Sequence, residues 1–497
     1  MSLLRAGIWL SAGIAAGRLA GFVREAILAR RYGLSPDADV AVLVLTLPDS
    51  LLNILIGSAM AAALVPALAA TRQAGGPLGG QAGVDRLQTQ IAVLAVGLGC
   101  LLTLVLLAAA RPLVQALAPG LSAAQVAQAA DLIGIALWAV PLTVWSSVVG
   151  AGLQERERFA STALGTLWFN GAVIVALLLW QGELAAIAWA MVMGAAVRIA
   201  GQLAEWRAAG GRWVWSRTWL PERRMATAYI QVLAAGAALL LLPLAGRWFA
   251  SFAGSGSIAG WTYATKLFEL PLQVLVTVFA TALFPRFTRL LSAGDVAGAT
   301  RFLHLGGQVV LVCATSAAVV VAAFATEVVH VAFHLPPLDT QRVAELVRAL
   351  LIALPFAGLT ALLQAWYAAG RDTRTPLIAG MISVGVFFLL GWLVMQHWGL
   401  PGLAWLSAGQ YILTCALLLR RGQVAVRAVI PVFVTATVAA VICGCIWLLS
   451  PWVEAPIVRL VLAAVAGLAA IAAGLALVPG IRSLAHASPA HSSVNPT

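Results

Sequence analysis

The sequence predicts an all-α, polytopic membrane protein with about fourteen transmembrane helices. Three observations lead to this fold class: the composition, the recurrence of long apolar segments and the distribution of the basic residues. Of the 497 residues, 62% are hydrophobic and 10% are charged, whereas soluble domains carry roughly 25% charged residues. A chain with so few charges cannot cover a soluble globule with polar groups.

Apolar segments of roughly 18 or more residues recur from one end of the chain to the other, and each is long enough to cross a hydrocarbon core of about 30 Å as a helix. We place these spans near residues 5–31, 39–70, 88–117, 124–153, 159–180, 184–206, 226–251, 260–287, 303–333, 342–369, 375–396, 401–420, 428–450 and 455–479.

The basic residues lie in alternate loops between these segments. One side of the membrane receives most of the arginines, including the group between residues 207 and 224, whereas the loops of the other side hold Arg30, Arg31, Arg111 and Arg247. The positive-inside rule assigns the richer side to the cytoplasm, so we expect a multi-pass protein with both termini cytoplasmic. The formal charge of +12 therefore indicates orientation, and no nucleic-acid partner is expected.

An internal repeat is visible in the sequence. Two pairs of segments match at an offset of about 214 to 223 residues: "TLPDSLL" with "AAALVPAL" resembles "ELPLQVL" with "ATALFPRF", and "LWAVPLTVWSSVVGAGLQERER" (137–158) resembles "LIALPFAGLTALLQAWYAAGRDTR" (351–374). Six spans per copy means that both copies enter the membrane in the same orientation, and such repeats bind substrate between their halves. The alternative is a chance match between apolar sequences of similar composition.

The repeat predicts two six-helix lobes around a central cavity, with two C-terminal helices added outside it. The predicted organisation is an N-lobe at 1–210 with helices 1–6, a cytoplasmic linker at 211–225, a C-lobe at 226–422 with helices 7–12, helices 13 and 14 at 428–480, and a disordered tail at 481–497.

Charged residues occur inside the first span, where Arg18, Arg24 and Glu25 are embedded in apolar sequence. A charge at mid-membrane costs at least ~2.5–3.5 kcal/mol on insertion scales, so it normally faces a wet cavity or a partner. At about 100° per residue, Arg18 and Glu25 share one helical face and Arg24 lies roughly 100–120° away. This sector of the helix can therefore face a cavity.

Glycines accompany these charges at every fourth position. Gly13, Gly17 and Gly21 follow one another along the same helix. Small residues at this spacing allow a second transmembrane helix to approach closely.

Further polar residues fall at corresponding places of the second and eighth spans: Asp39 and Asn53 in the former, and Lys266 and Glu269 in the latter. We count them, with the charges of the first span, as candidate substrate-binding residues. One interpretation is that Lys266 and Glu269 neutralise each other at i and i+3. The other is that Arg18, Arg24 and Lys266 attract one anionic group from opposite lobes, while Glu25 and Asp39 pair with these cations in the empty state.

Arginine suits this role because its planar fork binds phosphate oxygens bidentately. For Arg24 the alternative is an anchor that reaches lipid phosphates at the interface.

Prolines next to these polar residues predict bends. Pro48 and Pro271 are the candidate hinges of a structure that opens to either side, and the alternative is ordinary kinking without function. Four scattered histidines lack the spacing of metal ligands: His304, His330, His334 and His397. We therefore expect no catalytic residue, no metal site and no cofactor, and the chain is not expected to be an enzyme.

Six segments carry a resemblance to a known family: "SAGIAAGRLAGFVREAILARRYG", "DADVAVLVLTLPDSLL" with "ALVPAL", "YATKLFELP" with "TALFPRF", and "WYAAGRDTRTP". Over nearly its whole length the sequence resembles the MurJ (MviN) family of lipid II flippases, within the multidrug/oligosaccharidyl-lipid/polysaccharide (MOP) exporter superfamily. The resemblance implies two six-helix lobes, two extra helices that form a lipid groove, and alternating access in the bacterial inner membrane.

The resemblance also implies a substrate and its site. The substrate would be lipid II, an undecaprenyl-pyrophosphate-linked saccharide, which is moved to the outer leaflet. The membrane potential or an ion gradient would drive this movement. The protein would act as a monomer in contact with membrane lipids. Arg18, Arg24 and Asp39 match essential cavity positions of the family, and Lys266 stands where the family has arginine.

The chain departs from the family at other charged positions. Leu52 and Asn53 replace a pair of arginines, Gly57 replaces a glutamate, and Thr265 replaces the acidic neighbour of the family arginine. A flippase for the lipid-linked repeat unit of an exopolysaccharide or O-antigen is therefore an alternative. A cation-coupled multidrug exporter is a more distant one, because it would need an acidic cavity.

Overall fold

The computed structural model describes residues 3–56, 58–74, 79–180, 182–218, 223–422, 436–441 and 456–476, and every regular element in these ranges is a helix. The α-helices begin and end as follows: α1 Leu3–Tyr32, α2 Pro36–Ile56, α3 Ser58–Gln73, α4 Gly80–Ala108, α5 Ala110–Leu117, α6 Ala123–Ala136, α7 Ala139–Glu155, α8 Ala160–Ala163, α9 Gly165–Leu179, α10 Leu184–Ala208, α11 Arg223–Ala250, α12 Ser257–Ala282, α13 Phe284–Ser292, α14 Val296–Ala323, α15 Ala325–Phe333, α16 Pro337–Leu351, α17 Leu354–Ala369, α18 Arg374–Gly422 and α19 Pro456–Ala476.

Several helices have the length and hydropathy of membrane spans, as the sequence predicts. Within the described ranges six segments meet both criteria, and a seventh does so if α16 and α17, which meet at a bend of 46°, form one span. The exact count of about fourteen stays a prediction. α18 covers two predicted spans, and its backbone breaks between them at Gly399, where φ is +58°.

The chain divides into two compact units, Met1–Ala259 and Gly260–Thr497. The repeat predicts an earlier boundary, at the linker 211–225, and assigns the seventh predicted span, which is α11, to the second lobe. The observed boundary lies after that helix because α11 packs against α3 and α2 of the first unit. Helix α11 therefore belongs by its contacts to the first unit, although its sequence corresponds to the start of the second repeat.

One pair of repeat segments adopts the same local structure in both units. In 137–158, α7 ends with the Glu157 amide donating to the carbonyl of Gln154 and the Arg158 amide donating to Leu153. In 351–374, the corresponding amides of Arg371 and Asp372 donate to Ala368 and Tyr367.

Both turns also hold a residue in the left-handed region that is not glycine. The φ angle is +59° at Glu157 and +61° at Arg371, a conformation that side chains other than glycine, asparagine and aspartate rarely adopt. Positions 157 and 371 match in the sequence alignment of the repeat. This agreement argues against a match by composition alone.

A polar network joins the helix ends at the arginine-rich side of the first unit. Arg156 Nη2 lies 2.6 Å from Asp85 Oδ1, and both side chains are buried. Arg156 also donates to the side-chain oxygen of Gln88 at 3.3 Å, which accepts from the indole of Trp206 at 3.1 Å. Burial lowers the pKa of Arg156, and the neighbouring Asp85 carboxylate opposes this shift. The network therefore joins α4, the end of α7 and α10.

The first part of the predicted linker is fastened to this network. The indole rings of Trp206 and Trp213 lie 4.4 Å apart, and the amide of Val214 donates to Thr89 Oγ1 at 3.0 Å. The side-chain amide of Gln90 donates to the carbonyl of Thr218 at 2.7 Å. Residues 211–218 are thus an ordered strap across α4.

Candidate functional site

Close packing of α1 against α8 and α9 determines where the embedded charges lie. A Cβ atom added to Gly13 would lie 2.7 Å from Ala163 Cβ, one added to Gly17 would lie 2.8 Å from Thr166 Cβ, and one added to Gly21 would lie 3.4 Å from Asn170 Nδ2. All three glycines therefore face the neighbouring helices. The prediction that this spacing admits a second helix is confirmed.

The close approach brings Asn170 of α9 to the charges of α1. Arg24 Nη1 donates to Asn170 Oδ1 at 3.0 Å, and Arg24 Nη2 lies 2.9 Å from Glu25 Oε1. Asn170 Nδ2 in turn donates to the carbonyl oxygen of Gly17 at 3.1 Å. We call these three side chains, Arg24, Glu25 and Asn170, the Arg24 cluster.

The Arg24 cluster is buried. Arg24 is 6% exposed and Glu25 is 3% exposed. The alternative in which Arg24 reaches lipid phosphates at the interface is therefore wrong for this conformation, because Asn170 and Glu25 hold its guanidinium inside the helix bundle. Oε2 of Glu25 is buried without a hydrogen-bond partner among the described residues. The carboxylate is thus only half satisfied.

Asn170 is the member of this cluster that sequence reasoning missed. It is a lone asparagine in the apolar run "TLWFNGAVIV". A polar amide in such a run must find a partner within the membrane, which is a usable signal. Its partner could not be named from the sequence because the contact joins residues 146 positions apart.

The far end of α1 is also tied to α9. Arg31 donates through Nη1 to the carbonyl oxygen of Leu177 and through Nη2 to that of Trp180 at 3.0 Å. A cation at the C-terminal carbonyls of a helix is favourable because these carbonyls carry the negative end of the helix dipole. Arg24 and Arg31 therefore both fix the position of α9 along α1.

Arg18 and Glu25 differ in exposure although they share one helical face. The side chain of Arg18 is exposed, whereas Glu25 is buried against Arg24. That this sector of α1 faces a cavity stays a prediction. The partner of Glu25 is the adjacent guanidinium of Arg24.

Asp39 makes contacts that sequence reasoning did not predict. Its two carboxylate oxygens accept hydrogen bonds from the amides of Gly256 at 2.6 Å and Ala259 at 2.8 Å. Within the described residues no arginine or lysine lies in ion-pair distance of this carboxylate, so the expected pairing of Asp39 with the cationic residues is wrong. The physical reason is that the first amides of a helix lack intrahelical partners and attract a carboxylate.

Glycine is required at position 256 for this contact. The φ angle of Gly256 is +78°, and a Cβ atom there would lie 2.5 Å from the carbonyl oxygen of Leu34. Asp39, which is 1% exposed, therefore acts as a buried cap for the start of α12.

Replacing Asp39 by alanine is expected to destabilise the protein. The change leaves the amides of Gly256 and Ala259 without acceptors, and loss of a helix cap costs about 0.5–2 kcal/mol. The thermal unfolding midpoint of the purified protein should fall, whereas Asp37→Ala, an exposed neighbour in the first turn of α2, should lower it less. An unchanged midpoint in Asp39→Ala would show that the capping contact does not stabilise the fold.

Lys266 and Glu269 form an ion pair in the second unit. Lys266 Nζ lies 2.9 Å from Glu269 Oε2, and the two side chains are 30% and 36% exposed. This distance agrees with the interpretation in which Lys266 and Glu269 neutralise each other. Partial exposure nevertheless leaves the ammonium group accessible from one side.

The other residues predicted for the site are Pro271, Pro48 and Asn53. Pro271 lies inside the continuous helix α12, whereas the side chains of Pro48 and Asn53 lie outside what the structure describes. Their predicted roles, as hinges and as a substrate contact, stay predictions. In the described ranges no three His, Cys, Asp or Glu side chains are close enough together to hold a metal ion.

Long apolar helices with charged residues embedded in them are those of a multi-pass membrane protein, and solved structures specify its fold. An inward-facing multidrug resistance MATE family transporter of the MOP superfamily is similar with a TM-score of 0.65 at 16% identity, over 84% of this chain and 97% of that one. A lipid II flippase MurJ in an inward closed conformation is similar with a TM-score of 0.81 at 16% identity, over 96% of this chain and all of that one. The fold is that of the MOP transporters.

Sequence similarity narrows this class to one family. A family model described as "Lipid II flippase MurJ" matches residues 28–465, and the chain belongs to that family. A probable lipid II flippase MurJ of Rhizobium tropici is 25% identical over 454 residues, 85% of this chain and 82% of the relative. The lipid II flippase MurJ of Burkholderia cenocepacia is 25% identical over 405 residues, 78% of this chain and 77% of the relative.

Proposed function

We propose that this protein moves lipid II, the undecaprenyl-pyrophosphate-linked precursor of peptidoglycan, from the inner to the outer leaflet of the bacterial cytoplasmic membrane. The observation that carries the proposal is membership of the lipid II flippase family over residues 28–465. The embedded cations agree with it, because a diphosphate needs positive charge inside an apolar bundle. The relatives named lipid II flippases favour lipid II over an exopolysaccharide unit, an O-antigen unit or a drug.

Arg24 is the residue best placed to exchange partners during transport. Its guanidinium is held by Asn170 on one side and by Glu25 on the other. A diphosphate carries more negative charge than a carboxylate and accepts bidentate hydrogen bonds from arginine, so it can displace Glu25 while Asn170 keeps the fork oriented. Glu25 thereby holds the site open to an anion without leaving a buried cation uncompensated.

The polar headgroup would travel through the predicted central cavity while the polyprenyl tail remains in lipid. This route spares the sugar and diphosphate groups contact with hydrocarbon, where unsatisfied polar groups cost several kcal/mol each, to order of magnitude. Membrane potential can drive the cycle, since each charge that crosses it gains ~2.3 kcal/mol per 100 mV. In this proposal the termini face the cytoplasm and the protein acts as a monomer without a cofactor.

Complementation tests the substrate. A bacterial host whose own lipid II flippase is depleted stops growing and accumulates lipid II on the cytoplasmic side. Expression of this chain should restore growth and lipid II in the outer leaflet, measured by labelling of externally accessible lipid II. Failure to restore either, with the protein present in the membrane at a normal level, would contradict lipid II as the substrate and favour another lipid-linked saccharide.

A second test separates the two interpretations of Lys266. If Lys266 attracts the diphosphate, the double variant Lys266→Met with Glu269→Gln should lose transport. Because this variant removes both charges together, the loss would not come from a Glu269 carboxylate left without its partner. Lys266→Arg should retain transport because it keeps the positive charge. Both variants are measured by the complementation assay with membrane levels checked by immunoblot.

Full activity of the double variant would show that Lys266 only neutralises Glu269. Glu269→Gln alone is the matched control, since it removes the partner and keeps the cation. We expect this control to support growth.

A further inference from the structure

An apolar cavity lies within the first unit, apart from the Arg24 cluster. Its volume is about 590 Å³, inside the range of about 300–1,000 Å³ usual for ligand sites. Residues of α3, α4, α7 and α11 line it, and nearly all of the lining is apolar. Leu94, Leu98 and Ile230 in its wall are 43%, 56% and 59% exposed, so the cavity opens sideways rather than being sealed.

The cavity has one charged end. Arg223, the first residue of α11, is the one charged side chain among the described residues that line it, and this side chain is exposed. The strap of residues 211–218 crosses α4 at Thr89 and Gln90, next to the lining residue Ile91. Arg223 and Ile91 therefore mark the end of the cavity at the arginine-rich side of the protein.

The depth of the cavity corresponds to one leaflet. From Ile91 to Leu102 its wall advances along α4 by about 16 Å, at 1.5 Å per residue. Half of a hydrocarbon core of about 30 Å is about 15 Å. An amphiphile with its anionic group at Arg223 and a single chain reaching Leu102 would thus extend from the headgroup level to the bilayer centre.

We propose that this cavity binds one acyl chain of an anionic phospholipid of the leaflet next to the strap, with the lipid phosphate on Arg223. With the orientation proposed above, this is the inner leaflet. The site lies wholly within the first unit. Basic side chains at the cytoplasmic face attract anionic lipids, and the apolar wall accounts for the selection of an amphiphile over a free anion.

Native mass spectrometry of the full-length protein released from nanodiscs tests this site. The nanodiscs contain equal amounts of phosphatidylglycerol and phosphatidylcholine, and the readout is the number and mass of the lipids that remain bound. Arg223→Ala should lower the preference for phosphatidylglycerol about fivefold, the factor contributed by one basic residue near the bilayer surface. Ala226→Trp, which fills the cavity, should remove the bound lipid.

Arg217→Ala is the matched control, because Arg217 is an exposed arginine of the nearby strap that does not line the cavity. It should retain lipid as the unmodified protein does. Unchanged phosphatidylglycerol retention in both Arg223→Ala and Ala226→Trp would overturn the proposal. A bound lipid with the mass of phosphatidylcholine or of a polyprenyl phosphate would overturn it equally.

Discussion

Replacing Arg24 by alanine is expected to abolish lipid II transport. The change removes the guanidinium proposed to bind the diphosphate. It also leaves Glu25, which is 3% exposed, buried without its cation, and breaking a buried ion pair from one side costs about 3–5 kcal/mol. Growth of the flippase-depleted host should fail. Arg18→Ala should fail as well, with a smaller effect on stability, because the Arg18 side chain is exposed.

The structural and the transport contributions of Arg24 can be separated. In the double variant Arg24→Ala with Glu25→Gln no buried carboxylate is left uncompensated, so the membrane level should recover while transport remains absent. Arg212→Ala, an exposed arginine outside the cluster, is the control and should support growth. Transport at the normal rate in the double variant would mean that Arg24 serves only to neutralise Glu25.

Replacing Gly17 by leucine is expected to have the second-largest effect. Even the first added atom would lie 2.8 Å from Thr166 Cβ, so α1 must move away from α9. This movement breaks the hydrogen bond from Asn170 to the Gly17 carbonyl and withdraws Asn170 from Arg24. Overpacking of this kind costs about 1–3 kcal/mol. We expect a lower unfolding midpoint and the loss of complementation.

Gly171 offers a matched control on the facing helix. A Cβ atom at Gly171 meets nothing within 4 Å, so Gly171→Ala should keep activity and raise the unfolding midpoint slightly, since alanine is favoured over glycine in a helix by about 1 kcal/mol. Gly17→Ala should lower the midpoint. Equal shifts of the same sign in both alanine variants would show that close packing of α1 on α9 does not determine stability.

Local spacing in the sequence predicted the packing of α1, and the matched repeat segments form the same turn. The four-residue interval of Gly13, Gly17 and Gly21 fixes a helix face, and that face is the one that meets α8 and α9. The match of Glu157 with Arg371 is likewise local, because each turn is formed by its own helix end. Such features follow from residues near one another in the chain.

The contacts of Asn170 and Asp39 could not be predicted in the same way. Asp39 binds amides 217 and 220 positions further along, and backbone amides have no sequence signature that marks them as partners of a carboxylate. Reasoning from charges considered only arginine and lysine as its partners. The packing of α11 against α3 and α2 could not be predicted for a related reason, since a repeat in the sequence specifies which segments correspond but not how they pack.

Transport by the purified protein in sealed vesicles tests the central claim most directly. Fluorescent lipid II is placed in one leaflet, a membrane potential is applied, and the fraction that reaches the opposite leaflet is measured by quenching. We predict movement of lipid II by the unmodified protein and none by the double variant of Arg24 and Glu25. Lipid II movement no faster than in protein-free vesicles, or equal movement with the double variant, would contradict the claim that this chain carries lipid II through the Arg24 cluster.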